Sequence, residues 1–204
     1  MATNNTSSSN GNHPMTYLFS QPDHGHLVPY LAALHASCIT QDQMVGPFLP
    51  PLTNEKLLTW WKERIAEANR GVRIIVLLLN PSSSADLKNG GKPAGTDLRG
   101  LGMVKLSESE TGSFRGHIDA VLVDRRYRRQ GGARALVAAL EYEAVKRGRT
   151  LLLTNTETGS VAEEAFRKFG YIEIGKVPHF SRTLTPGVKK GGTFFYKEFQ
   201  VVAP

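Results

Sequence analysis

Cysteine is nearly missing from this sequence: Cys38 stands alone among 204 residues. That excludes an internal disulfide framework, and a single thiol inside an apolar helical pattern reads as buried packing rather than as a nucleophile. Long hydrophobic runs are missing as well. No stretch approaches the roughly 18 consecutive apolar residues of a membrane span, and the N-terminus has neither the charged start nor the apolar core of a secretory leader. The expectation is a cytoplasmic protein with no membrane partner. No internal repeat appears. Gly90, Gly91, Lys92 and Pro93 fail as a phosphate-binding Walker motif, because proline stands where a hydroxyl residue is required. His24 and His26 have no further ligands at metal spacing, so no metal is expected.

Acidic residues are the scarcer charge, 18 against 25 basic ones, for a formal net charge of +7. Such an excess suits nucleic acid, an anionic surface or an anionic cofactor. Its distribution decides among them: Arg125, Arg126, Arg128, Arg129 and Arg134 fall within ten residues, and neither an aromatic-rich RNA motif nor zinc spacing accompanies them. No nucleic-acid partner is expected.

Those arginines sit between an apolar strand and an amphipathic helix. The first turn of a helix presents backbone N–H groups without internal partners, reinforced by the helix dipole, and this makes a cradle for phosphate. Gly131 and Gly132 allow close backbone approach, and Arg128, Arg129 and Arg134 add charge. A basic, solvated surface loop is the competing reading of the same composition.

The periodicity gives one α/β domain over residues 15–204, behind a disordered polar tail at 1–14 and interrupted by a flexible loop at 80–97. A short strand opens the domain, followed by helices at 26–39 and 55–69, with Thr53 as cap of the second. Trp60 and Trp61 read as core and groove wall. Strands follow at 73–79, 98–106 and 114–123, then a helix at 132–147, a strand at 150–154, a short helix started by the capping spelling Ser160 to Glu163, and strands at 171–174 and 193–201. By strict alternation His117, Asp119, Val121 and Val123 share one face of their strand.

The run Arg128, Arg129, Gln130, Gly131, Gly132, Ala133 spells R-x-x-G-x-A directly between strand and helix. It resembles motif A of the GCN5-related N-acetyltransferases, and the order of elements resembles that family over residues 15–202. The resemblance implies a mixed, mainly antiparallel sheet flanked by helices, and acetyl-CoA as co-substrate. Its pyrophosphate is then held by the turn from Arg128 through Arg129, Gln130, Gly131, Gly132 and Ala133 to Arg134, and its pantetheine runs along Val121, Leu122 and Val123, with the backbone of Val123 polarising the acetyl carbonyl. The segments 154–162, 166–171, 175–178 and 192–197 are similar to the tabtoxin-resistance-like branch, which implies cofactor contacts at Asn155, Ser160, Ala162 and Phe166 and a small amine-bearing toxin or antibiotic as acceptor, hence detoxification. Protein lysines or N-termini are the rival acceptors. Phe166 stands where such enzymes often carry tyrosine, which also suits a CoA-binding module without chemistry.

Acetyl transfer to an amine needs a base, because an amine with a pKa near 10 is protonated at pH 7. Asp119, directly or through water, and His117 are the candidates. Tyr196 or Tyr171 could protonate the departing thiolate, as could water. A monomer or a homodimer fits this reading.

Overall fold

The computed structural model describes residues 15–80 and 91–200. The expected tail at 1–14 and most of the expected loop lie outside the described residues; its last part is tied down, with Lys92 donating to the Pro22 carbonyl and His26 Nε2 lying 2.6 Å from the Pro93 carbonyl.

The elements follow as β1 (Met15–Leu18), α1 (Gln21–His24), α2 (Val28–Asp42), α3 (Asn54–Asn69), β2 (Arg73–Leu79), β3 (Leu98–Leu106), β4 (Arg115–Val123), α4 (Gly132–Lys146), β5 (Leu151–Glu157), α5 (Val161–Lys168), β6 (Ile172–Arg182) and β7 (Lys189–Glu198). All seven strands form one sheet in the order β1-β2-β3-β4-β5-β7-β6, antiparallel except for the β4–β5 pair. A continuous Ile, Val and Leu run makes β2 buried along its whole length. Alternation sends Ile75, Leu77 and Leu79 to a core shared with α2 and α3, and Ile74, Val76 and Leu78 to a second core under α4 and α5. Thr53 caps α3 as expected, accepting from the Lys56 N–H at 3.2 Å.

The last two strands depart from the expected bounds. β6 runs to Arg182 instead of ending at 174, and β7 begins at Lys189. Their pairing is interrupted twice, between Glu173 and Gly175 and between Val177 and Ser181. Pro178 and His179, the latter at φ 54°, occupy the second interruption. Bulges break the period of two, and a proline is tolerated because β6 is an edge strand, so the sequence pattern there does not read as strand.

Helix α5 forms one wall of the site and is fixed by its N-terminus. Ser160 accepts from the Glu163 N–H at 3.2 Å, while the Glu163 carboxylate reaches past the cap to accept from the Gly159 N–H. Glu163 is buried and also meets Arg167 and, at 3.3 Å, Lys176. The Gly159 N–H, followed by the two cations, holds its carboxyl down to about 2. A carboxyl depressed in the folded state contributes stability above its ordinary value, and that contribution is lost as pH falls through the folded value. Glu163→Gln is therefore expected to cost about 1–3 kcal/mol at pH 7. In urea denaturation the gap to the parent should narrow as pH falls from about 4.5 toward 2; a gap independent of pH would refute the assignment.

Candidate active site

The parallel pairing of β4 with β5 covers only residues 115–118 against 151–154. At its end Thr154 Oγ1 donates to the Ile118 carbonyl at 3.0 Å. Beyond this point β4 stays on β3 as far as Val123, and β5 stays on β7 as far as Glu157, so the two strands part. The gap is a cleft of about 510 Å³. Residues 117–122 and Ala133 form one lip, residues 154–157, Ser160, Ala162, Ala165, Phe166 and Phe169 the other, and His35, residues 44–47, Trp60 and Arg64 a third wall. That volume lies in the range of small-molecule sites.

A bulge shapes the first lip. Ala120 pairs with Met103 and Ile118 with Val104, which leaves Asp119 without a partner on β3. The extra residue reverses the alternation, so the expectation of one shared face for His117, Asp119, Val121 and Val123 is corrected. Val121 and Val123 join Ile118 in the core under α4, whereas Ala120 and Leu122 pack toward α2 and α3. Asp119 turns to that second side, where it binds Arg73 at 2.6 Å. Val123 is buried and does not line the cleft.

At the end of β4 the chain makes the anion turn. Arg129 lies at φ 63° and Gly131 at φ 81°, both left-handed, and Gly131 caps α4 with no side chain bonded to the helix end. The first N–H groups of α4 are thus available to a ligand. Gly132 is needed for a different reason: a Cβ there would meet Leu78 Cδ2 at 2.7 Å, so the helix start lies against β2. Consecutive amides around left-handed residues form an anion-binding concavity, which fits a pyrophosphate. Arg129 and Gln130 are exposed at its rim. Arg134 stacks 5.1 Å from the Phe169 ring and so reaches across to the end of α5.

Arg128 departs from the role assigned by its charge. Its Nε donates to the Val123 carbonyl at 2.9 Å and its two terminal nitrogens pair with the Asp42 carboxylate. The guanidinium is a clamp between the turn and the end of α2, leaving the Arg128 backbone as its contribution to anion binding. Arg129 is exposed and Arg134 lies over the Phe169 ring, and neither forms an ion pair among the described residues.

Within the cleft, His117 is half-buried beside the Asn155 side chain; burial pulls its pKa below the usual histidine value, opposed by Asp119 and by the Asn155 side chain. Asp119 belongs to a row of alternating charge, Arg64 to Glu67 at 3.1 Å, Glu67 to Arg73 at 2.6 Å and Arg73 to Asp119 at 2.6 Å. Arg73 is almost fully buried, so both carboxylates compensate a guanidinium that water does not reach. Phe166 packs edge-on against Tyr171 and stacks on Phe195. Tyr171 is buried in that core, with burial raising its phenol pKa, and Tyr196, level with Leu153 on the neighbouring strand, does not line the cleft. The sequence reading missed His35, Arg64 and Glu67. Nothing in their local pattern distinguishes them from ordinary helix residues; the packing of α2 and α3 brings His35 and Arg64 to the cleft, and Glu67 stands behind it, paired with Arg64 and Arg73. Among the described residues no cluster suits a metal ion, and no helix is long and apolar enough to cross a membrane.

A parted parallel pair with an anion turn at the end of one strand defines an acyl-CoA-type transferase site. The model of the Acetyltransferase (GNAT) family matches residues 60–171, and the chain belongs to that family. It is an acetyl-CoA-dependent N-acetyltransferase. A protein from Acinetobacter baylyi ADP1 superposes at TM-score 0.70 with 14% identity, covering 93% of this chain and 94% of that one. The ribosomal-protein-alanine N-acetyltransferase from Brucella melitensis gives 0.64 at 20% identity, over 91% and 99% of the chains. A Salmonella typhimurium protein solved with its cofactor acetyl-CoA gives 0.66 at 12% identity, over 94% and 98%.

Two substitutions test the site. Gly131→Glu puts a carboxylate beside the free amides at a φ of 81° and should weaken acetyl-CoA binding at least about 100-fold in calorimetry, at a strain of about 1–3 kcal/mol; retained affinity would remove the turn from the binding site. Asp119→Asn deprives Arg73 of one of its two carboxylates and should cost about 1–3 kcal/mol in urea denaturation, less than a fully orphaned buried charge. Its acetyl-CoA affinity should stay unchanged.

Proposed function

We propose that this enzyme transfers the acetyl group directly to the primary amine of a small molecule, with His117 as the base. The observation that carries the reading is His117 itself: an imidazole lining the cleft beside Asn155, with burial favouring its neutral form. A neutral imidazole can take a proton from the incoming ammonium, directly or through one water, at the pH where the amine is otherwise unreactive. Asp119, the other sequence candidate, is engaged by Arg73, and its charge is better suited to attracting the ammonium and favouring protonation of His117 than to leaving as a base.

Around that step the chain supplies binding. The amides of the turn, with Arg129 and Arg134, hold the pyrophosphate, and the parted edge of β4 along Val121 and Leu122 offers backbone groups to the pantetheine and to the acetyl oxygen. Asn155, Ser160, Ala162 and Phe166 face it from the other lip. Acetyl-CoA supplies the thioester carbonyl that the amine attacks. With Tyr171 in the core and Tyr196 outside the cleft, water returns the proton to the thiolate.

A small acceptor is favoured by the confined cleft, about 510 Å³ shared between the pantetheine end and the amine. We place the chain near the tabtoxin-resistance-like branch on the segments around Asn155 and Phe166 and on the run Gly192, Thr193, Phe194, Phe195, Tyr196, Lys197. The role that fits is cytoplasmic detoxification of an amine toxin or antibiotic. Likeness to an enzyme that acts on a ribosomal protein makes peptide acetylation the second reading.

Thiol release from acetyl-CoA over a panel of amino acids, amine antibiotics, polyamines and lysine peptides separates the two, with peptide turnover equal to that of the best small amine counting against ours. His117→Gln should lower kcat by about 10²-fold or more without changing acetyl-CoA affinity. At saturating acceptor the acid limb of kcat should lie below the ordinary histidine value of 6.5. Asn155→Asp should move it up by about a unit, since a carboxylate favours the imidazolium. A limb indifferent to both substitutions would exclude His117 as base.

A further inference from the structure

β6 closes one side of the sheet and is left bare among the described residues. Nine of its eleven residues are exposed, so neither face is covered along its length. Its inner edge pairs with β7, and no strand lies along its outer edge. Helix α5 reaches it through two ion pairs, Arg167 to Glu173 at 2.6 Å and Glu163 to Lys176 at 3.3 Å. Yet the strand is not polar: Ile172 is 55% exposed, Ile174 60% and Val177 45%. An open backbone edge carrying aliphatic side chains is a template for a further strand, and proteins blunt such edges with charge, proline or bulges. Here those devices are unevenly placed. Pro178 and the left-handed His179 interrupt the second half, and Arg182 lies directly across from Lys189, a pairing of like charges. The first half, residues 172–177, has a single bulge, at Ile174, and no net charge.

Residues 172–177 are complementary to their own reverse. Laid antiparallel to a second copy about a two-fold axis between Ile174 and Gly175, Glu173 falls beside Lys176 of the second copy, and Ile172 beside Val177 of the second copy. Ile174, the extra residue of the bulge, falls beside Gly175 of the second copy, a position with open space around it. The faces agree as well. Glu173 and Lys176 stand across from Phe195 and Thr193 of β7, and Ile172 and Val177 across from Tyr196 and Gly192. Residues directly opposite in a ladder share a face, so the two charges lie on the side of α5 and the two aliphatic side chains on the other. A closed contact between identical chains requires such self-complementarity, which an unrelated partner does not. On a chain of net charge +7, this is also a stretch at which two copies approach without repelling each other.

We propose that residues 172–177 of β6 form the interface of a homodimer, in which two copies lie antiparallel about a two-fold axis, held by two Glu173–Lys176 pairs and by Ile172, Ile174 and Val177 of each copy. The interface ends at Val177, since Pro178 withdraws a backbone donor. Ser181, the residue of β6 that lines the cleft, lies outside it. Glu173 and Lys176 also hold α5 through Arg167 and Glu163, so the row of charges runs across the axis from one α5 to the other. The proposal is independent of which amine accepts the acetyl group.

Sedimentation velocity over a concentration series tests it on the full chain. The expected parent species has twice the 22.4 kDa mass of one chain. Ile174→Lys, a change at an exposed position, should weaken the dimer at least about tenfold and leave acetyl-CoA affinity unchanged. Glu173→Lys alone and Lys176→Glu alone each set two pairs of like charges across the axis, and each variant should sediment as a monomer. Mixed in equal amounts, the two set opposite charges across the axis, and a heterodimer should form; damage to either fold could not produce that recovery. Should a reversal fail to fold, because it also breaks an ion pair to α5, Ile174→Lys and Val177→Glu carry the test. A parent that stays monomeric at every concentration overturns the interface, as does a dimer indifferent to these substitutions. A mixture of the two reversals that stays monomeric overturns the alignment. Slow amide exchange over residues 172–177 that does not depend on protein concentration would put a segment of the same chain on the edge and overturn the proposal too. Thiol release reports acetyl transfer separately, so none of these outcomes decides that reading.

Discussion

Everything at the site depends on where two parallel strands stop pairing. β4 and β5 share a ladder for four residues and then separate, and the separation is enforced from outside: β3 holds β4 and β7 holds β5 through their full remaining lengths. Backbone groups facing the gap have lost their ladder partners, and buried amides and carbonyls require partners of some kind. A long ligand arm with amide groups of its own can occupy such a gap as a strand would. At the same end of the sheet the chain leaves β4 and enters α4, so the free N–H groups of a helix stand beside the open strand edge, where ligands gather in open α/β sheets. Cofactor binding is in this sense a consequence of topology, with side chains refining it.

The arginines divide the labour between structure and ligand. Arg73, which is buried, and Arg128, which is partly exposed, are tied to carboxylates from other elements, Glu67 and Asp119 for the first and Asp42 for the second. Breaking the Arg73 pairs leaves a charge away from water, and the Arg128 pair ties the turn to the end of α2, so these residues link α2, α3 and the β4 end. Arg129, exposed at the turn, is not engaged in this way. The net positive charge of the chain thus overstates what is offered to phosphate, and a count of basic residues near a motif cannot tell clamp from cradle.

The order of elements and the bounds of β2 and β3 were legible in the sequence because their apolar periodicity is unbroken and their ends carry caps and glycines. The anion turn was legible because its chemistry is local: strand, glycines and helix follow one another in the chain. What escaped was set by contacts between distant segments. The bulge at Asp119 has no sequence signal, and one inserted residue was enough to place Val121 and Val123 on the opposite side from Asp119. β6 continues past residue 174, where the strand was expected to end, because an edge strand absorbs Pro178 and His179. His35 is one of several polar residues on α2, and its position in the cleft follows from how α2 lies against α3.

Two imidazoles line the cleft, and their surroundings differ. His35 is surrounded by aromatic rings, and burial alone pulls its pKa down to about 4. His117 is also pulled down by burial, but Asp119 and the Asn155 side chain pull the other way. In the function proposed above, that opposition of effects suits His117 to the work of a base, which must take up and release a proton in each cycle. The guanidinium that restrains Asp119 also disfavours charge on His117, which in the proposed mechanism eases release of the proton taken from the amine.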